Sequence, residues 1–181
     1  QHGQGVIKNY EKAFEWYVKA AAQDNAVAQT NLGSMYQNGQ GVVQNYEKAF
    51  KLYSKAAAQG FLDAQYYLGW MYQHGQGVAQ SYEKAFEYYS KIAQESGRPV
   101  AHLMLGRMYD LAKGVRRGVK EAKEHYAVAA AMGNVFAIKN LGLLEIETGN
   151  YMKGMFLRIK AVLMGLILSI KDLGDSRLRS C

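Results

Sequence analysis

Apolar side chains recur at helical spacing in two alternating kinds of segment. From Asp63 to His74 the apolar positions are Ala64, Leu68, Met71 and Tyr72, an i, i+4, i+7, i+8 stripe that predicts one amphipathic helix. From Tyr46 to Gln59 the same spacing runs through Ala49, Phe50, Tyr53, Ala56 and Ala57, which predicts a second helix. Asn9, Asn45, Ser81 and Asn150 stand just before the second kind of helix, where a side-chain oxygen can accept from free N–H groups of the first turn. Glu11, Glu47 and Glu83 follow within that turn and suit the helix dipole. Gly60, Gly133 and Gly165 stand where the second helix is expected to end in a left-handed cap. Glu15–Lys19, Glu47–Lys51 and Glu87–Lys91 are spaced for i,i+4 pairing on an exposed face.

The two segments alternate as a repeat. Gly3-Gln4-Gly5-Val6 returns at Gly39 to Val42 and at Gly75 to Val78, and Tyr10 to Phe14 returns at Tyr46 to Phe50 and Tyr82 to Phe86, each 36 residues on. The next offset is 37, with a residue inserted near Gly97-Arg98-Pro99, and the last is 32, because the Gly-x-Gly loop is shortened before Asn150. Leu32-Gly33 thus recurs as Leu68-Gly69, Leu105-Gly106, Leu141-Gly142 and Leu173-Gly174. This glycine lies inside a helix, where it costs about 1 kcal/mol relative to alanine. Its recurrence predicts close approach: Gly33, Gly69, Gly106 and Gly142 leave room for an aromatic ring from the neighbouring helix, with small residues such as Ala49 and Ala57 on the opposite side. The expected units are a partial one at 1–25, full repeats at 26–61, 62–98, 99–134 and 135–166, and a C-terminal capping helix within 167–181. Leu166 to Leu178 would form that helix, its stripe positions charged at Asp175, Arg177 and Arg179, with Cys181 exposed beside it.

These residues resemble the SEL1-like repeat family, a relative of the tetratricopeptide repeat. Residues 28 to 60 carry the pattern as Ala28, Leu32-Gly33, Tyr36, Gly39, Gly41-Val42, Lys48-Ala49, Tyr53, Lys55-Ala56-Ala57 and Gly60, and residues 64 to 93 carry it nearly as well. Towards the C-terminus the pattern changes: Ala112 replaces the first loop glycine and Glu121-Ala122 the Lys-Ala pair. The resemblance implies an all-α fold, a right-handed α-solenoid of antiparallel helix pairs, and an adaptor or scaffold role in protein complexes.

Composition narrows the alternatives. In 181 residues, 49% hydrophobic with one proline and no Pro/Ser-rich linker, no internal domain boundary is visible. Cys181 is the one cysteine, so an intrachain disulfide and a Cys-ligated zinc site are excluded, while a reducing and an oxidising compartment both accept the chain. The chain opens on Gln1 within a repeat and reads as a piece of something longer. The longest apolar run, Ala161 to Ile170, is ten residues, whereas a membrane span needs about twenty. Among His2, His74, His102 and His125 there is no His-Glu-x-x-His pair. There is also no P-loop, nucleophile elbow or dinucleotide fingerprint. No metal, cofactor, small-molecule substrate or catalytic residue is therefore expected.

Stacked repeats generate a concave face suited to a peptide or a partner helix. If the first helices line it, as the resemblance implies, the groove positions are Thr30, Ser34 and Gln37; Tyr66, Trp70 and Gln73; Leu103, Arg107 and Asp110; then Lys139, Leu143 and Ile146. Tyr66 and Trp70 are residue types enriched at binding hot spots, though both are equally able to pack between repeats. Arg107 and Lys139 would select acidic residues. Charge is lopsided: residues 1–100 hold nine Lys/Arg against eight Asp/Glu, and residues 101–181 thirteen against seven. Lys113, Arg116, Arg117, Lys120 and Lys123 form a basic cluster that reads as a solvated face, a surface for an acidic partner or lipid headgroup or, as the alternative function, a nucleic-acid contact. That last reading wants the same basic or amide residue at one groove position of every unit, and these positions differ.

Overall fold

The computed structural model describes residues 10–178, with side chains as far as residue 169. Among the described residues there are nine α-helices and no strand: α1 (Tyr10–Ala21), α2 (Ala26–Asn38), α3 (Tyr46–Ala58), α4 (Leu62–His74), α5 (Tyr82–Ser96), α6 (Pro99–Asp110), α7 (Val119–Ala131), α8 (Val135–Glu147) and α9 (Tyr151–Leu178). The motifs at His2, Gly3 to Val6 and Asn9, and the terminal Arg179 and Cys181, lie outside the described residues. The helices fall into two compact units. One holds α1 to α5 with Lys113–Val115, and the other holds α6 to α9. The sequence reading expects one repeat domain without an internal boundary.

Local chemistry sets the helix ends. Asn45 Oδ1 accepts from the Lys48 N–H at 2.8 Å, and Ser81 Oγ from the Lys84 N–H at 3.2 Å. Asn25 and Asn134 cap α2 and α8 in the same way. Gly39 and Gly75 end α2 and α4 at φ +67° and +66°, where a Cβ would be strained. Ala112 occupies the equivalent position and still takes φ +52°, at a cost of about 1 kcal/mol. The second loop glycine has a different use. A Cβ on Gly77 would fall on the Tyr46 carbonyl, so the loop after α4 lies directly on the start of α3. Lys91 finds its i,i+4 partner in Glu95, at 3.8 Å, and not in Glu87.

The repeated Leu-Gly positions account for the packing inside each unit. A Cβ on Gly33 would stand 2.8 Å from the Tyr53 ring, on Gly69 2.8 Å from Tyr89, and on Gly106 2.6 Å from Tyr126. Those three tyrosines are buried, and each anchors a second helix on the glycine notch of its own first helix. Around them Ala49, Ala56, Ala64, Leu68 and Met71 close one core, and Leu103, Ala122, Ala129, Ala137, Leu141 and Leu144 the other. Gly142 breaks the expectation. No ring faces it, because Arg158 stands where the tyrosine would be; the backbone carbonyl of Gly154 lies 2.9 Å from its Cβ position instead.

The C-terminal region departs again. The helix does not end at Gly165, and Leu166 to Leu178 is not a separate capping helix; α9 runs unbroken for 28 residues. Gly60 and Gly133 turn the chain at φ +82° and +83°, whereas Gly165 stays helical. After Gly133 comes Asn134, which caps a new helix, and after Gly60 comes Phe61, which starts one with no side-chain cap, whereas after Gly165 the helix runs on through Leu166, Ile167 and Leu168.

Candidate functional site

In the unit of α1 to α5, several expected groove positions are already in use. Thr30 is buried, and its hydroxyl donates to the Ala26 carbonyl at 2.8 Å, so it presents nothing at the surface. Ser34 is half-buried, and its hydroxyl accepts from Asn38 Nδ2 at 3.2 Å. Gln37 and Gln73 both serve a buried tyrosine. Tyr53 donates its hydroxyl to Gln37 Oε1 at 2.8 Å, and Tyr89 donates to Gln73 Oε1 at 3.4 Å. Burial, reinforced by Tyr67, pushes the Tyr53 phenol far above its ordinary value, so it stays a donor. Tyr66 is half-buried, with its ring 5.7 Å from Tyr67 and 5.9 Å from Tyr89. Trp70 is half-buried, stacks on His74 at 4.2 Å and packs against the core.

In the unit of α6 to α9 the first helices, α6 and α8, carry a more open relief. A depression of about 560 Å³ is lined by Leu103, Met104, Arg107, Phe136 and Asn140, among others. A smaller one of about 180 Å³ shares Arg107 and Asn140 and adds Asp110, Tyr126 and Leu143. A third, about 510 Å³, lies between α8 and α9 and shares Phe136, with Lys139, Met155 and Arg158 on its walls. Arg107 and Lys139 are exposed, Leu143 is largely exposed, Ile146 is half-buried and Leu103 is buried as floor. Asp110 repeats the role of Gln37 and Gln73 by accepting from the Tyr126 hydroxyl at 3.4 Å. Phe136, 70% exposed, is the aromatic that sequence reasoning overlooked. Its signal was available: the same register position holds Val27, Asp63 and Val100 in the other units, so a ring there is out of pattern.

The basic cluster is largely spent on internal partners. Lys113, which belongs to the α1–α5 unit, donates to the Tyr82 hydroxyl at 3.2 Å and lies over that ring. Arg117 pairs with Glu147 at 2.5 Å, and Lys120 with Glu124 at 4.0 Å. Lys123 and Lys153 both reach the buried Glu145, at 2.8 and 2.5 Å, and hold that carboxyl below the usual glutamate range. Arg116 is exposed. A further pair was not visible in sequence: His102 and His125, 23 residues apart, meet with Nδ1 atoms 3.0 Å apart, and Tyr109 stacks on His125. Among the described residues no three His, Cys, Asp or Glu side chains gather to hold a metal, and no helix is long and apolar enough to cross a membrane.

Antiparallel helix pairs, each closed by a glycine notch or close backbone approach, define a helical-repeat scaffold. The Sel1 repeat family matches at residues 1–25, 26–61, 62–96 and 99–134, and the chain belongs to that family. It is a family of non-enzymatic repeat scaffolds whose typical role is binding other proteins. Among solved structures, the chain is similar to a Sel1 repeat protein from Oxalobacter formigenes, at 34% identity and TM-score 0.79 over 96% of this chain and 72% of that one. It is also similar to c5321, a protective antigen of uropathogenic Escherichia coli, at 29% identity and TM-score 0.76. That match covers 87% of this chain but 34% of the other, so the chain spans about a third of that relative. Cysteine rich protein B of Helicobacter pylori matches at 29% identity and TM-score 0.54, over 75% of this chain and 97% of that one. No curated protein matches the chain. The fold class is the all-α solenoid of Sel1 repeats.

Proposed function

We propose that this chain is a protein-binding scaffold that takes a short peptide or helix of a partner on the α6–α8 face. The observation that carries this is the pair of adjoining depressions that share Arg107 and Asn140, the larger of them also lined by Phe136. Apolar side chains of the partner would enter over Leu103 and Met104 and stack on Phe136, supplying desolvation energy. Arg107 and Lys139, which among the described residues stand outside the ion pairs that engage Arg117 and Lys123, would orient acidic side chains and steer encounter. Tyr66 and Trp70 offer a second, separate contact on the other unit, smaller because their rings are partly used internally. Contact with nucleic acid draws less support, since three of the five clustered cations are neutralised within the chain.

The test is a pull-down from native lysate followed by calorimetric titration of the captured partner. Phe136→Ala is expected to weaken binding by at least about 2 kcal/mol, the hot-spot threshold, with the fold unchanged. Arg107→Ala should mainly make association less salt-sensitive. Folded variants that bind as tightly as the parent would move the site elsewhere, with Trp70→Ala the next to measure. Tight oligonucleotide binding with a steep salt slope would replace the proposal.

A further inference from the structure

Helix α9 presents a second apolar face. It buries Gly154 and Ala161, while Met155, Phe156, Ile159, Val162, Leu163 and Leu166 are all at least half exposed along the rest of the helix. Contiguous apolar surface of this kind is uncommon on a monomer. Lys153, Arg158 and Lys160 flank it.

The repeat register says what belongs there. In both units a second helix is covered by the first helix that follows it, α3 by α4 and α7 by α8. At one matched position of that contact Tyr53 stacks on Tyr67, centroids 4.8 Å apart, and Tyr126 and Asn140 line one depression together. Counted in the same register, the covering segment for α9 is residues 166–178, with Leu173-Gly174 at the Leu-Gly position. The matched pair becomes Arg158 and Asp172, opposite charges where the other units have uncharged partners. Yet Gly165 does not turn, so 166–178 runs straight on from the face it matches.

We propose that a second copy of this chain covers the face, through a symmetric antiparallel α9–α9 pairing in which each chain lends residues 166–178 to its partner's 151–163. One twofold contact buries both apolar faces at once, as reciprocal exchange of an identical element does. The register places Gly165 at the crossing, where nothing lies within 4 Å of its Cβ position and two glycines let the helix axes approach closely. It also sets position 158 opposite position 172 twice, once at each end of the contact, and the two positions carry opposite charges in the sequence.

The experiment uses the full chain carrying Cys181→Ser, with Arg158→Cys and Asp172→Cys introduced together. Mild oxidation is expected to give a covalent species of twice the 20.2 kDa chain mass on a non-reducing gel. Mixing the two single-cysteine chains should give the heterodimer. In sedimentation the unmodified chain should be dimeric, and Val162→Glu should weaken the dimer at least tenfold while helix content holds. Arg158→Asp alone should weaken it similarly, and Arg158→Asp with Asp172→Arg should restore it. A disulfide closed within one chain would mean that 166–178 folds back in cis and would overturn the proposal. So would a monomer that forms no cross-link, or a monomer that binds vesicles of anionic phospholipid through α9.

Discussion

Gly69 in α4 and Gly142 in α8 hold the same place in the repeat, and their neighbours differ. Gly69 is a notch for the Tyr89 ring, whereas Gly142 lies under the backbone carbonyl of Gly154. The glycine is needed in both, but the obstacle it avoids is a side chain in one unit and main chain in the other. The repeat therefore dictates the distance between paired helices more strictly than the group that fills it. Where the second helix lacks its tyrosine, a second glycine lets the two backbones approach.

The largest expected effect breaks this comparison open. Gly69→Leu and Gly142→Leu should each destabilise by about 1–3 kcal/mol, the cost of overpacking. They should separate on repair. Adding Tyr89→Leu to Gly69→Leu removes the ring that the new side chain strikes and should recover part of the loss. No side-chain trimming can clear the Gly154 carbonyl, so Gly142→Leu should resist rescue by Arg158→Ala. Thermal unfolding of the four variants measures this, and a Gly69→Leu protein as stable as the parent would remove the notch account.

How much was legible follows from the same residues. Helix pairs, loop glycines and Tyr-on-Gly contacts could be read because each leaves a periodic signature, and Gly33, Gly69 and Gly106 meet the rings expected of them. The surface was harder. Thr30 shares its register position with Tyr66, but its short hydroxyl turns back onto its own helix. Gln37, Gln73 and Asp110 looked variable and serve one shared purpose, accepting the tyrosine hydroxyl. Phe136 went unseen because attention to the apolar stripe passes over a ring that falls off it. The straight path through Gly165 was unreadable from the sequence, since Gly60 turns the chain before Phe61, which gives no side-chain cap, and Gly165 before Leu166 does not.

A second comparison follows one register position through four units: Gln29, Gln65, His102 and Ile138. Gln29 is buried but bonded, its Nε2 donating to Asp24 Oδ1 at 3.2 Å and its Oε1 accepting from Gln59 at 3.0 Å. Gln65 is equally buried, and among the described residues neither of its amide atoms has a partner. An unsatisfied buried amide costs about 1–3 kcal/mol. Gln65→Leu should therefore stabilise by about 1 kcal/mol in denaturant unfolding, while Gln29→Leu should destabilise by about as much because it strands its partners. If both substitutions moved stability the same way, the reading of bonded against orphaned amide would fail.

The smallest effect concerns the third member of that series. His102 and His125 meet through Nδ1 atoms 3.0 Å apart, which requires one ring to donate and the other to accept. Burial holds the His102 pKa below the ordinary imidazole value; burial and then the His102 charge do the same to His125, against an opposing pull from Glu124. Both folded-state values thus lie below the unfolded value near 6.5. Between them the unfolded chain binds more protons, so this stabilisation is complete above about pH 6.5 and is lost as pH falls through the depressed values. The rings are only partly buried and can regain some water, which keeps the effect modest. Thermal unfolding should therefore decline gently from pH 7.5 to 5. His102→Gln, which places at this position the residue found in α2 and α4, should flatten that decline. The Glu145 cluster does not interfere, since a carboxyl held below its usual range weakens only at lower pH. A parent and a His102→Gln variant with superimposable pH profiles would show that the paired rings contribute nothing that titrates.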